Sequence, residues 1–294
     1  RMKKLALLEI NWAQAALSGS KRELKEFVDD DDEWVRLTAA AALCSEGAGT
    51  DKTLERVSEV AGNHAGQEDY APALVAAGLC LLGKGREEGI DLLHGALESV
   101  DTRMRGRLID SLTSVCTDEE VVGLVEDWMD GRGLETAADY AIALGVVAGG
   151  RGADIETPEE PPSGDDPELE CAHLALRALR DDPDAGAKLV DMLRHERGRK
   201  QLCCAIYIGI ARVWSATTTL AAVADMDVGY GVQTACGSVL ISRGHAGSVE
   251  WFQRVLKGVS GPILTRLTCG LAHGVEAGLR LMSERRAVNM GRFV

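Results

Sequence analysis

The feature that most restricts this chain is a recurrence of small, helix-favouring segments at a nearly constant interval. The residue at the middle of each Ala- or Leu-rich segment serves as an anchor: Ala40, Ala76, Leu108, Ala138, Cys171, Cys204, Cys236 and Cys269. Successive anchors are 36, 32, 30, 33, 33, 32 and 33 residues apart. That interval accommodates two helices and their turns. A two-helix unit cannot bury its own apolar face, so repetition of this kind predicts stacking of neighbours around a continuous core.

A second kind of segment lies between most anchors, with apolar residues at helical spacing: Leu54, Val57 and Val60; Ile90, Leu93 and Leu97; Val121, Leu124, Val125 and Trp128; Leu189, Met192 and Leu193; Trp251, Phe252 and Val255. Each has a polar face and predicts an outer helix, whereas the anchor segments are apolar nearly all round and predict inner helices between neighbours. Turn signals fall between them at Asp29 to Asp32, Gly83 to Gly85, Asp130-Gly131, Asp181 to Pro183 and Gly258 to Pro262. No segment alternates over strand length. Aromatic residues make up only 4% of the chain, which leaves Ala, Leu, Val and Gly to pack the core and allows helix axes to approach closely. The expected fold is all-α, an α-α superhelix of about eight helical hairpins.

The segment Leu24 to Gly47, LKEFVDDDDEWVRLTAAAALCSEG, resembles the HEAT-like repeats found in bilin-lyase proteins. Its acidic turn is Asp29 to Asp32, and Val35-Arg36 opens the Ala-rich second helix. The other repeats share the spacing and the small-residue core but lack the Val-Arg pair. The resemblance implies a HEAT-like solenoid and, as an alternative function, an enzyme of the lyase or DNA glycosylase type found on similar architectures. Of the tryptophans, Trp34 opens an inner helix, Trp128 and Trp251 belong to outer helices, and Trp214 closes a helix, a distribution that suits core wedges and surface anchors rather than a nucleobase pocket.

The repeat is interrupted once. Residues 149–167 contain four prolines, four glycines and a dense set of carboxylates, and stand where an outer helix is due. The domain reading is therefore helical repeats over 1–148, an acidic Pro/Gly-rich loop over 149–167 and helical repeats over 168–294, in one continuous solenoid. The loop reads as a solvated linker or, more sharply, as an acidic latch formed by Asp154, Glu156, Glu159, Glu160, Asp165 and Asp166.

Three residues before the anchor, the later inner helices carry Arg105, Glu135, Glu168, Gln201, Gln233 and Arg266, a polar stripe on otherwise apolar helices. Small residues follow at Ala172, Ala205, Gly237 and Gly270, leaving room for another chain. With Asp139, one helical turn from Glu135, these are the candidate partner-binding residues, read against the plain alternative that they simply face water.

Chemistry-bearing motifs are sparse. The eight cysteines sit in apolar surroundings and read as buried thiols of a reducing cytoplasm. Cys171 and His173 diverge by about 200° on a helix and Cys203 and Cys204 by about 100°, so neither pair converges on a metal ion. Neither a nucleophile elbow nor a phosphate-binding glycine loop is present, and no cofactor, metal or catalytic residue is assigned. A net charge of −14 opposes nucleic-acid binding. The basic groups Arg194, His195, Arg197, Arg199 and Lys200, and Arg280, Arg285, Arg286 and Arg292, lack the interleaved aromatics that single-strand binding uses. No apolar run reaches the roughly 20 residues that span a bilayer. The expected role is a cytoplasmic, non-catalytic scaffold or adaptor for a protein partner. A structural subunit that associates through its C-terminal repeats is a further alternative.

Overall fold

The computed structural model describes residues 25–45, 51–67, 70–116, 118–130, 132–150, 155–161 and 165–245. The described secondary structure is all helical. The chain divides into two compact units, residues 1–164 and 165–294. The division falls inside the Pro- and Gly-rich interruption. Among the expectations above, the Cys269 repeat, the Trp251 outer helix, the Gly258 to Pro262 turn, Arg266, Asp154 and the C-terminal arginines lie outside the described residues.

The first unit contains α1 (Glu33–Ser45), α2 (Asp51–Asn63), α3 (Ala71–Leu82), α4 (Glu88–Ser99), α5 (Thr102–Val115), α6 (Glu119–Met129) and α7 (Ala137–Ala148). The anchor helices α1, α3, α5 and α7 pack successively on one another, while the intervening α2 and α4 form a second row. α3 and α4 make the closest antiparallel pair. The anchor helices are the apolar ones: from Ala138 to Val146, α7 has no exposed residue, and Tyr140 within it is fully buried.

Local chemistry starts and stops these helices. Asp32 Oδ1 accepts from the backbone of Trp34 at 3.1 Å, and the Arg36 Nη1 reaches back to the Asp30 carbonyl at 2.9 Å. The acidic turn and the Val-Arg pair thus form one capping device: carboxylates hold orphan N–H groups of the helix start, Arg36 ties the turn down, and Val35 enters the core. Asp101 caps α5, Asp118 caps α6, and Thr136 and Asp139 form a reciprocal capping box on α7. Gly83 ends α3 and Gly149 ends α7; Gly85 and Gly150, two and one residues further on, take the positive φ that turns the chain away.

The second unit contains α8 (Pro167–Leu179), α9 (Pro183–His195), α10 (Gly198–Ile210), a 3-10 turn (Trp214–Ala216), α11 (Thr217–Ala224) and α12 (Tyr230–Ser242). Pro167 and Pro183 occupy first helical positions, where no N–H is needed, behind the caps Asp166 and Asp182. The anchor helices α8, α10 and α12 pack in series, and α9 packs on α11. Trp214 does not close a helix as the sequence suggested. Arg212 adopts φ +53 and breaks the chain after Ile210, so Trp214 starts a separate turn and is 59% exposed.

Candidate functional site

Three positions of the polar stripe are closed to solvent. Arg105 is 6% exposed, Glu168 1% and Gln201 0%, so at these three positions the expectation of side chains facing water or a partner is corrected. The reason is visible in their partners. Arg105 of α5 donates from Nε to the Leu97 carbonyl at 2.9 Å and from Nη2 to the Val100 carbonyl at 2.7 Å, at the end of α4. Gln201 of α10 donates to the Leu193 carbonyl near the end of α9 at 3.0 Å. Gln233 of α12 donates to the Met226 carbonyl just past α11 at 2.7 Å. The last carbonyls of a helix have no partner within it. The polar residue near the start of each of these inner helices bonds a carbonyl at or just past the end of the helix before it, tying the hairpin together.

Glu168 works differently. Its carboxylate accepts from the Tyr207 hydroxyl at 3.0 Å and lies 3.5 Å from Arg199 Nη2, joining α8 to α10. Glu135 is exposed ahead of α7. In the acidic loop, Glu156, Glu159, Glu160 and Asp165 are exposed, whereas Asp166 is the N-cap of α8 and pairs with Arg199 at 3.3 Å. Asp166 is therefore a structural residue rather than a free latch.

These staples differ in expected weight. Arg105→Met leaves two buried carbonyls without a charged donor and is expected to lower unfolding free energy by about 2–3 kcal/mol. Gln201→Met removes one hydrogen bond but also a buried Oε1 that has no partner among the described residues, so the two effects offset to within about 1 kcal/mol. Urea denaturation of both variants checks the contrast; equal losses contradict it.

The basic turn around Arg194 is largely satisfied internally. Arg194 bonds Thr219 Oγ1, and Arg197 bonds the carbonyls of Arg194 and Glu196. Lys200 lies 3.0 Å from Glu170 and 3.3 Å from Glu196, while Lys188 lies 3.1 Å from Glu170. The hydrogen bond that Lys200 donates to Glu170 raises the pKa of Lys200. Burial pushes Glu170 up, but hydrogen bonds from Lys200 and Lys188 bring it below the ordinary carboxylate range.

All six described cysteines with assigned surroundings are buried free thiols. Cys171 and Cys204, equivalent anchors on α8 and α10, place their Sγ atoms 3.6 Å apart. The hydrogen bond to Cys204, together with burial, pushes the Cys171 thiol well up; burial pushes Cys116 and Cys236 up to about 12. In these apolar surroundings the thiols pack as small hydrophobic side chains.

A partly buried polar constellation in the first unit centres on His94 of α4. His94 Nε2 lies 3.0 Å from Asp139 Oδ1 of α7 and 3.9 Å from Glu98 Oε1. The second oxygen of Asp139 accepts from the Thr136 backbone at 2.7 Å, the Thr136 hydroxyl at 2.8 Å and the Glu135 backbone at 3.2 Å. Asp139, a sequence candidate, is thus buried and engaged on both oxygens. The hydrogen bond to Asp139 raises the pKa of His94 against the opposing effect of burial. Burial pushes Asp139 up, but the hydrogen bonds from His94 and Thr136 prevail and hold it below the ordinary carboxylate range.

Trp128 of α6 completes the group. Its indole Nε1 donates to Asp91 Oδ1 of α4 at 2.9 Å, its ring centroid is 5.4 Å from that of His94, and the Arg132 guanidinium lies 4.1 Å over the ring. Sequence reasoning placed Trp128 on an outer helix but did not single out His94, Asp91 or Arg132. The available signal was the row Asp91, His94 and Glu98 along one face of α4; the partner Asp139 lies 45 residues away from His94.

Comparison with protein-family models, with curated proteins and with solved structures finds no match for this chain. Among the described residues no helix is long and apolar enough to cross a membrane, and no group of three or more His, Cys, Asp or Glu side chains is placed to hold a metal ion.

Proposed function

We propose that this chain is a HEAT-like helical-repeat scaffold that binds a protein partner without catalysing a reaction. The observation that supports this reading is the order of helix packing: anchor helices pack in series within each unit, and intervening helices pair beside them. Architectures of this kind present extended surfaces at low cost in core volume, and such surfaces are commonly used for recognition. In this reading the chain is a continuous solenoid of about eight hairpins, interrupted over 149–167. Four exposed carboxylates, Glu156, Glu159, Glu160 and Asp165, make the loop an accessible contact for a basic surface.

The test is affinity capture of the tagged full chain from its native cell, beside a variant lacking residues 156 to 165, which keeps the buried Ile155 and the α8 cap Asp166. A protein recovered reproducibly with the full chain and reduced with the deletion supports both the scaffold and the role of the loop. Recovery unaffected by the deletion keeps the scaffold and removes the loop from the interface; recovery of nothing by either form counts against the scaffold.

A further inference from the structure

The last turn of α6 contains Glu126 and Asp127 and no basic residue, and Asp130 is its C-cap. Carboxylates at the C-terminal end of a helix face the negative pole of the helix dipole, an arrangement that a nearby cation relieves. Asp91 of α4 adds a carboxylate at the edge of the Trp128 ring, accepting from its Nε1 at 2.9 Å. Trp128 stands among them as a fixed platform, its edge held by Asp91 and its side flanked by His94. An aromatic ring fixed in this way loses little freedom when a ligand settles on it.

The ring already holds one guanidinium. Arg132, exposed and just beyond the helix, sits 4.1 Å over its centroid, well inside the range of cation–π attraction, and among the described residues it forms no ion pair with a carboxylate. A guanidinium combines planar stacking with weak hydration, which suits a ring with a carboxylate at its edge better than a compact ammonium does. Resting on the scaffold reading above, we propose that the Trp128 face, edged by Asp91 and His94 at the acidic end of α6, is a docking site for an arginine of a basic segment on the partner protein. Arg132 is an internal competitor that covers the ring until that arginine displaces it. The net charge of −14 draws such a segment toward the surface, and the ring supplies the local selectivity.

The test measures binding of the full chain to a fluorescent synthetic peptide of alternating Arg and Gly, and to its Lys counterpart, at two salt concentrations. Arg132→Ala is expected to bind the Arg peptide about two- to five-fold more tightly, and Trp128→Leu about ten-fold more weakly, with smaller changes for the Lys peptide. In the Trp128→Leu background the gain from Arg132→Ala disappears, because the two residues act on one another. Trp128→Phe, which keeps a ring of lower cation affinity, falls between wild type and Trp128→Leu and supplies the ring-specific readout if Trp128→Leu does not fold. A gain from Arg132→Ala that persists without the ring reduces the effect to local charge and overturns the proposal. So does an affinity indifferent to Trp128, or no binding of either peptide by any form. These failures leave the scaffold reading standing if native capture recovers a protein.

Discussion

Gly89→Ala is expected to destabilise the protein by about 2–3 kcal/mol, although the same substitution in an open helix stabilises. A Cβ on Gly89 falls 2.6 Å from the Gly78 carbonyl oxygen and 2.7 Å from the Leu82 nitrogen. Gly78 is its reciprocal: a Cβ there falls 2.7 Å from the Gly89 carbonyl oxygen. The obstacles are backbone atoms, which cannot rotate aside, so α3 and α4 must separate along their whole contact. Alanine gains about 0.5–1 kcal/mol over glycine through reduced freedom of the unfolded chain, too little to offset the loss of packing. Gly95 on α4 and Gly62 on α2 supply the control, since no atom lies within 4 Å of a Cβ at either position. There the chain-entropy term acts alone, and Gly95→Ala is expected to raise stability by up to about 1 kcal/mol. Chemical denaturation of the two α4 variants gives shifts of opposite sign; shifts of the same sign contradict the close α3–α4 contact.

The second large effect belongs to Asp139. Asp139→Ala removes the capping-box acceptor of α7 and the partner of His94 together, and is expected to cost about 3 kcal/mol: about 1 for the cap and the remainder for hydrogen bonds to a partly buried charge. His94→Gln removes only the link between α4 and α7 and costs less. The pair also gives a pH dependence whose sign follows from its two shifts. The pKa of His94 is raised above its ordinary 6.5, so its contribution is complete below about 6.5 and is lost as pH rises through the higher folded value. The pKa of Asp139 is lowered from its ordinary 3.8, so its contribution is present above about 3.8 and is lost as pH falls through the lower folded value. The link is therefore strongest from about pH 4 to 6.5, and the stability difference between wild type and His94→Gln narrows as pH rises from 6.5 to 9. Thermal unfolding of both proteins across that range checks it; a difference that widens with pH contradicts the assignment.

Much of the fold was legible because it follows from local chemistry. The anchors from Ala40 to Cys236 all lie in helices, and the segments at Leu54, Ile90, Val121 and Leu189 supplied four of the intervening ones. Small apolar residues at one interval and amphipathic segments at another leave little choice when no strand pattern competes. α11 was not read because TTTLAAVA is only eight residues long and β-branched at its start. The polar stripe was legible as a repeated position but not in its direction. Periodicity shows that Arg105, Gln201 and Gln233 occupy equivalent places, yet cannot show that their long side chains fold back onto carbonyls of the preceding segment. The His94 group was hidden for a different reason. It depends on α4 packing against α7, three helices further along, whereas a simple repeat specifies contacts with the next helix and the one after. Gly89 and Gly95 likewise read alike as interior helical glycines until the position of α3 is known.

The proposed function is that this chain holds another protein. The most direct measurement is the mass of the assembly isolated under native conditions from its source cells, determined by light scattering on the size-separated complex. The account predicts a complex of fixed stoichiometry containing this chain and a different protein. A complex made only of copies of this chain, or a lone monomer under the same conditions, contradicts it.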